Sequence, residues 1–521
     1  MLFNSFIFIF GFLPLTLIVT YALGRWRQRA AKVALLLLSL GFYMWWRPSQ
    51  LPLLLGSIVF NYVVGGQIER AFHAGRQTAT RIWLAAGLTA DLAFLGWFKY
   101  ANFVVENVVA VTGAHFVLHH IALPLAISFF TFQKIAYLID AARGETKRIS
   151  FLDFALFAAF FPQLIAGPIV HFKEVVPQLQ ARRFGRVVFR NIMIGLVIFA
   201  IGLFKKTVIA DTLAFYANPL FQAARNGHAL GLSSAWLAAV SFTFQIYFDF
   251  SGYSDMAIGL GRMLGVKLPL NFHSPLRAPS ITDYWRRWHM TLQRFIVAYI
   301  FQPLSLPLNR FAIAQGLRGW SGFAVATGVP LFITFVAVGI WHGAGWTFVL
   351  FGVMHATYIC INEGWREWLS RRRRKLRRAG VTPPAPGWSR SVAGRVLTLL
   401  AVVFANVMFR AATVRDAISV WSSMIGLDGA VRPPAGPGFD WALGATLLVS
   451  ALLVFLTPNS QQIMGRFDPA HNWREWRNVA RPPLNWTWKP NAAGLIFAGV
   501  ALFMGVIFIE RGRAVFLYFN F

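Results

Sequence analysis

The sequence predicts an all-α polytopic membrane protein. Three observations carry that prediction: charge is scarce, apolar runs follow one another along the chain, and basic residues gather in the gaps between them. Of 521 residues, 57% are hydrophobic, 16% aromatic and only 13% charged, and the mean hydropathy is +0.55. A soluble protein of this size carries about 25% charged residues. With half that share, most of the surface must face lipid rather than water.

Apolar runs fall near 2–21, 33–46, 51–66, 82–98, 117–138, 151–170, 191–210, 232–250, 292–308, 322–341, 345–363, 395–409, 441–457 and 491–509. A spanning helix needs about 20 residues, so the shorter runs are expected to be tilted, re-entrant or buried in protein, leaving about 11 crossings. The first run has neither a basic leader nor a small-residue cleavage site, and it reads as a first membrane helix. The chain is expected to form a single membrane-embedded domain over 1–521.

The formal net charge is +30. In a soluble protein such a charge would suggest nucleic acid, but here the Lys and Arg residues lie in short gaps at 25–32, 70–81, 143–148, 173–190, 262–294, 366–395 and 466–481. Basic gaps mark the cytoplasmic side, so a nucleic-acid partner is not expected. The stretch 366–395, with Arg371-Arg372-Arg373-Arg374-Lys375, is expected to be a cytoplasmic loop beside anionic headgroups. Counting runs between gaps gives even numbers except across 151–170 and between 294 and 366. Pro162, Gly167 and Pro168 break the first of these, predicting a re-entrant element whose freed backbone groups bond within the protein. In the second interval, 292–308, broken by Pro303 and Pro307, is the expected non-crossing run.

Polar residues in apolar surroundings cost about 2.5–3.5 kcal/mol each on insertion scales, so each needs a reason. Asp249 and Asp255 end an apolar helix; they either pair with Arg residues of the next segment or bind substrate. In Ile281–Leu292, helical spacing puts His289 on a face with Trp285, Leu292 and Ile296, and Asp283, Arg287 and Arg294 opposite. This predicts an amphipathic interfacial helix with its histidine turned inward. His342 stands in Gly339-Ile340-Trp341-His342-Gly343-Ala344-Gly345-Trp346, between two apolar runs, with glycines that allow close backbone approach. An imidazole held out of water stays neutral and can take a proton from a hydroxyl. The pattern alone leaves both histidines open to a purely structural role. His119-His120 has no carboxylate or cysteine at ligand spacing and is expected to face solvent. There is no Gly-x-Ser-x-Gly elbow, His-Glu-x-x-His zinc site or Walker loop, so no metal is expected. The one cysteine, Cys360, excludes an internal disulfide.

Six ordered motifs, spread over nearly the whole chain, resemble the bacterial membrane-bound O-acyltransferase family: 123–133 (LPLAISFFTFQ), 162–169 (PQLIAGPI), 202–206 (GLFKK), 247–259, 284–292 (YWRRWHMTL) and 341–348 (WHGAGWTF). The aromatic tail 516–521 is similar too. The resemblance implies a fold of helices, re-entrant segments and interfacial helices around a central channel. It also implies an O-acyltransferase acting in the O-acetylation of an exported polysaccharide such as alginate, from the bacterial inner membrane. His342 matches the family's essential histidine and His289 its second one, where distant members often carry Asn or Asp. Residues implied to contact substrate are Gln163, Asp249, Asp255, Trp285, Arg286, Trp341 and Trp346. No cofactor is bound; acetyl-CoA or another acyl thioester is the expected donor. A periplasmic acetyltransferase or a polysaccharide synthase is the expected partner, alongside membrane lipid. D-alanyl transfer to teichoic acid and a non-enzymatic polymer or lipid transporter are the alternatives. Where relatives commonly continue past the second histidine with Arg-Asp and then Tyr-Ile-Pro-Leu-Gly-Gly, this chain reads FIVAYIFQPLSLPLNR over 295–310, which implies differently shaped donor or partner docking.

Overall fold

The computed structural model describes residues 1–113, 121–382, 388–428, 441–510 and 517. His119 and His120, and the aromatic tail apart from Leu517, lie outside them. The described residues are built from helices throughout. A π-turn, Ile7–Phe12, leads into α1 (Leu13–Trp26), followed by α2 (Gln28–Met44), α3 (Leu51–His73) and α4 (Gln77–Thr112). Then come α5 (Ile127–Ala142), α6 (Phe151–Ala159), α7 (Phe161–Leu164) and α8 (Phe172–Gln180). Next, α9 (Phe189–Phe204), a π-turn and α10 (Asp211–Arg225) form one long rod beside α11 (Leu232–Met263). The second half holds α12 (Ile281–Arg287), α13 (Met290–Ile296), α14 (Gln302–Ala314), α15 (Gly319–Phe323), α16 (Val329–His342) and α17 (Trp346–Arg378). It ends with α18 (Trp388–Arg410), α19 (Val414–Met424), α20 (Trp441–Leu456), α21 (Ser460–Ile463), α22 (Trp473–Trp476) and α23 (Ala492–Ile507).

Among the described residues, six helical stretches are long and apolar enough to cross a membrane: Ile7–Trp26, Pro48–His73, Gln77–Thr112, Phe189–Arg225, Gly319–His342 and Ser391–Arg410. The chain is a multi-pass membrane protein. Six is fewer than the crossings expected from apolar runs. The remaining runs fold into helices that are short, such as α20 and α23, or laced with polar groups and shielded by protein, as α11 is from Phe242 to Met263.

Glycines set the packing of the centre. Gly195 and Gly202 of α9 face Gly259 and Gly252 of α11: a Cβ on Gly195 would lie 2.5 Å from the Gly259 carbonyl oxygen, and one on Gly202 2.6 Å from that of Gly252. Small residues of this kind let two backbones meet where lipid offers no hydrophobic drive for association. The same region carries three buried ion pairs. Lys206 Nζ lies 2.6 Å from Asp211 and 2.9 Å from Asp249, and Lys205 Nζ lies 2.8 Å from Asp255.

The 151–170 segment is two short buried helices with a break at Phe160, and its loose backbone groups find partners inside the protein. Phe161 N–H donates to Ser39 Oγ at 3.3 Å and Ile169 N–H to Thr291 Oγ1 at 3.0 Å. The Phe157 carbonyl accepts from both Gln133 and Gln163. Lys32 of α2 holds Asp153 of α6 at 2.6 Å.

Three sequence expectations need correction. The stretch 292–308 is not broken by its prolines: α13, a π-turn over Val297–Phe301 and α14 run on as one helix. Gln302 N–H bonds back to the Val297 carbonyl, a wider π-type closure that precedes Pro303 and relieves the crowding a proline ring brings. The basic stretch 366–395 is helical at both ends, with α18 starting at Trp388. Helix α17 continues to Arg378, its charges spread by pairs such as Arg371–Glu367 at 2.7 Å. Finally, of the 117–138 run, the described residues 121–126 are not helical and α5 begins at Ile127.

Candidate active site

The predicted amphipathic helix around His289 is two helices. Ser280 caps α12 by accepting from Asp283 N–H at 3.3 Å; the helix stops at Arg287, and α13 starts at Met290. At the break His289 adopts φ 44°, ψ 52°, the left-handed region. Histidine, asparagine and aspartate are enriched there among non-glycine residues, but the conformation still costs free energy that the surroundings must supply. Those surroundings are Asn271. Its carbonyl accepts Met290 N–H at 2.9 Å, and its side-chain oxygen accepts Thr291 Oγ1–H at 2.9 Å and Thr291 N–H at 3.4 Å. The Asn271 amide nitrogen donates to Ser254 Oγ at 3.0 Å. Since a backbone N–H meets it, Oδ1 is an acceptor, so His289 Nδ1, 3.0 Å away, carries the proton and Nε2 the lone pair.

His342 is the last residue of α16, and a three-residue turn leads into α17. Gly343 and Gly345 have extended backbones open to any residue (φ −165° and −171°). Glycine is needed at 343 for space, because a Cβ there would run into the Phe348 ring. Gly339 and Gly352 likewise let α16 and α17 touch backbone to backbone. The His342 ring packs edge-on against Phe409 at 5.2 Å and Phe351 at 6.0 Å.

The two histidines come together around one indole. The Trp341 ring centre lies 6.0 Å from that of His289 and 4.9 Å from that of His342. His289 is 1% exposed and His342 3%. His342 and Trp341 line a cavity of about 140 Å³ together with Lys99, Ser128, Phe129 and Ile165, and the exposed Arg47 and Trp46 also line it. Trp285 and Arg286 border a second, larger and mostly apolar cavity of about 400 Å³, walled by Leu292, Thr334 and Val338. Trp285 donates to His355 Nδ1 at 3.1 Å, whereas Arg286 is exposed.

The other expected contact residues sit elsewhere. Asp249 and Asp255 hold Lys206 and Lys205; of the two alternatives weighed for them, ion pairing is what the fold displays, with lysines of the preceding helix rather than arginines of the next segment. Asp255 also accepts from Ser460 and Gln461, and Asp249 from the Leu517 backbone N–H at 3.0 Å. Trp346 is exposed and donates to Asn107 at 2.9 Å. Gln163 is buried, its amide spent on Phe157. Three residues at the site escaped the sequence reading: Lys99, Asn271 and His355. Lys99 and His355 are ionisable groups inside apolar stretches, a signal available without coordinates. Asn271 carried no such signal.

Residues 83–403, which contain both histidines, match the MBOAT, membrane-bound O-acyltransferase family. The chain belongs to the membrane-bound O-acyltransferase family. As a member, it is an O-acyltransferase. It is 40% identical over 457 residues, 82% of this chain and 80% of the relative, to "Peptidoglycan O-acetyltransferase" of Helicobacter pylori. It is 41% identical over 368 residues to "Probable alginate O-acetylase AlgI" of Pseudomonas aeruginosa, covering 70% of this chain and 66% of that protein. A "Teichoic acid D-alanyltransferase" of Streptococcus thermophilus is 26% identical over 55% of this chain and 68% of its own length.

Proposed function

We propose that this O-acyltransferase moves an acetyl group from a thioester donor, acetyl-CoA or a carrier-bound equivalent, to a hydroxyl acceptor in the O-acetylation of an exported polysaccharide. The observation that carries the reading is the pair of buried imidazoles flanking Trp341 beside a cavity. In the step, the acceptor oxygen forms a bond to the acyl carbon and the carbon–sulfur bond breaks. His342 takes the hydroxyl proton and returns it to the departing thiolate. Polarising the thioester carbonyl would need a proton on His289 Nε2, and the Asn271 contact favours one on Nδ1. The Nε2 lone pair instead suits orienting the attacking hydroxyl. The relatives' names, alginate and peptidoglycan O-acetylation, support an acetyl donor and a polymer acceptor, reached directly or through a periplasmic acetyltransferase. An inner-membrane location follows the same reading, with the basic gaps inward.

The test is His342→Ala in proteoliposomes supplied with labelled acetyl-CoA on the basic side. The expected result is a fall in transfer of at least about 100-fold with unchanged accumulation. Full transfer by the variant would end the assignment. Label arriving only from a D-alanyl carrier thioester would replace the acetyl donor.

A further inference from the structure

The C-terminal end of α16 is a problem that α4 solves. The last carbonyls of a helix have no partner within it, and Trp341 and His342 are buried away from bulk water. On α4, Tyr100 Oη–H donates to the Ile340 carbonyl at 2.9 Å. Its neighbour Lys99 donates from Nζ to the Trp341 carbonyl, to the His342 carbonyl at 3.4 Å and to Ser128 Oγ at 3.1 Å. Three successive terminal carbonyls, ending on His342 itself, are therefore capped from one turn of a second helix. Two turns further on, Asn107 of the same helix accepts from Trp346, the first residue of α17. Thus α4 grips both sides of the turn that carries His342.

Lys99 is 8% exposed, and it lines the same cavity as His342. A hydroxyl or amide would cap a carbonyl at lower desolvation cost; a lysine there adds three donors and a charge at the negative end of a helix. Its ammonium also stands 5.8 Å from the centre of the Trp341 ring, the indole between the two histidines.

We infer that Lys99, seconded by Tyr100, is a positioning residue for acyl transfer, fixing the end of α16 so that the His342 ring meets the cavity. The inference rests on reading His342 as the base, and its test separates the two. Lys99→Gln, Lys99→Arg, His342→Ala and the double variant Lys99→Gln/His342→Ala are compared in proteoliposomes with labelled acetyl-CoA. Misplacement of a reacting group by about 1 Å costs up to about 100-fold. Lys99→Gln is therefore expected to lower kcat by roughly 10- to 100-fold with KM for the donor within about twofold of the parent. Lys99→Arg, which keeps charge and donors, recovers part of the loss. In the double variant the residual rate equals that of His342→Ala alone, because a group acting through another adds nothing once that other is gone. Wild-type kcat in Lys99→Gln overturns the inference, as does a further fall in the double variant by the factor seen in the single one. Full activity in His342→Ala instead strikes the functional reading. If Lys99→Gln does not accumulate, Tyr100→Phe decides: a fall in kcat alone supports the inference, and an unchanged kcat overturns it.

Discussion

At the scale of single residues, the site depends on side chains held in unusual places by ordinary hydrogen bonds. His289 keeps its left-handed backbone because Asn271 binds the two residues that follow it as well as its ring. Replacing Asn271 by Ala is expected to lower acetyl transfer by roughly 10- to 100-fold, measured as initial rate in proteoliposomes against accumulation by blot. The backbone sets a second expectation. Asparagine fits the left-handed region, whereas a β-branched residue there is strained by roughly 1–2 kcal/mol. His289→Asn should therefore accumulate like the parent yet transfer slowly, and His289→Val should lose thermal stability as well. Both histidines were legible from sequence, as ionisable residues in apolar company within family motifs. The left-handed turn was not, because 3.6-residue spacing carried an apolar face straight across it.

At the scale of elements, close backbone contact does what hydrophobic drive cannot do inside lipid. Gly259→Leu would force α9 and α11 apart, because a Cβ at 259 would lie 2.5 Å from the Gly195 carbonyl oxygen. The expected outcome is loss of folded protein, read by size-exclusion of a detergent extract. Lys206 sits 2% exposed between two aspartates, so Lys206→Met strands buried charge. Breaking such a set costs about 3–5 kcal/mol, and the melting temperature in detergent should fall sharply. Outside the spans, α8 is tied to α13 by Glu174 and Arg294 at 2.6 Å. Burial pushes the Glu174 carboxyl up, but the Arg294 guanidinium and the His171 backbone N–H more than offset this and hold it below its ordinary value. A depressed carboxylate contributes stability above its unfolded pKa of about 4.3 and loses it as pH falls through the lower folded value. Melting curves carried from pH 6 down to about pH 2 should show that loss, and Glu174→Gln should flatten it. That 151–170 is a broken, protein-buried segment was readable from Pro162, Gly167 and Pro168, since prolines and glycine state where a helix stops. Pro303 and Pro307 gave the same signal, yet the helix runs on through both, with a π-turn just ahead of Pro303.

At the scale of the whole molecule, six of the described helical stretches are long and apolar enough to cross a membrane, whereas the polar half of α11 is buried by its neighbours. Composition made that environment plain; it could not reveal which polar helices would be shielded, since shielding is a property of neighbours and not of the segment. Sidedness has its own check. With Cys360 first changed to Ser, single cysteines placed at 182 and 380 should react with an impermeant reagent from the same face of sealed vesicles. The turn bearing His342 has a dynamic consequence too. Three residues join α16 to α17, glycine contacts lock the two against each other, and α4 holds both ends of the turn. The imidazole therefore has no loop of its own to swing on. Beyond rotation about its own side-chain bonds, the ring can shift only with its backbone, so a displacement at 342 carries α16 and the 33-residue α17 along with it rather than bending a hinge of three.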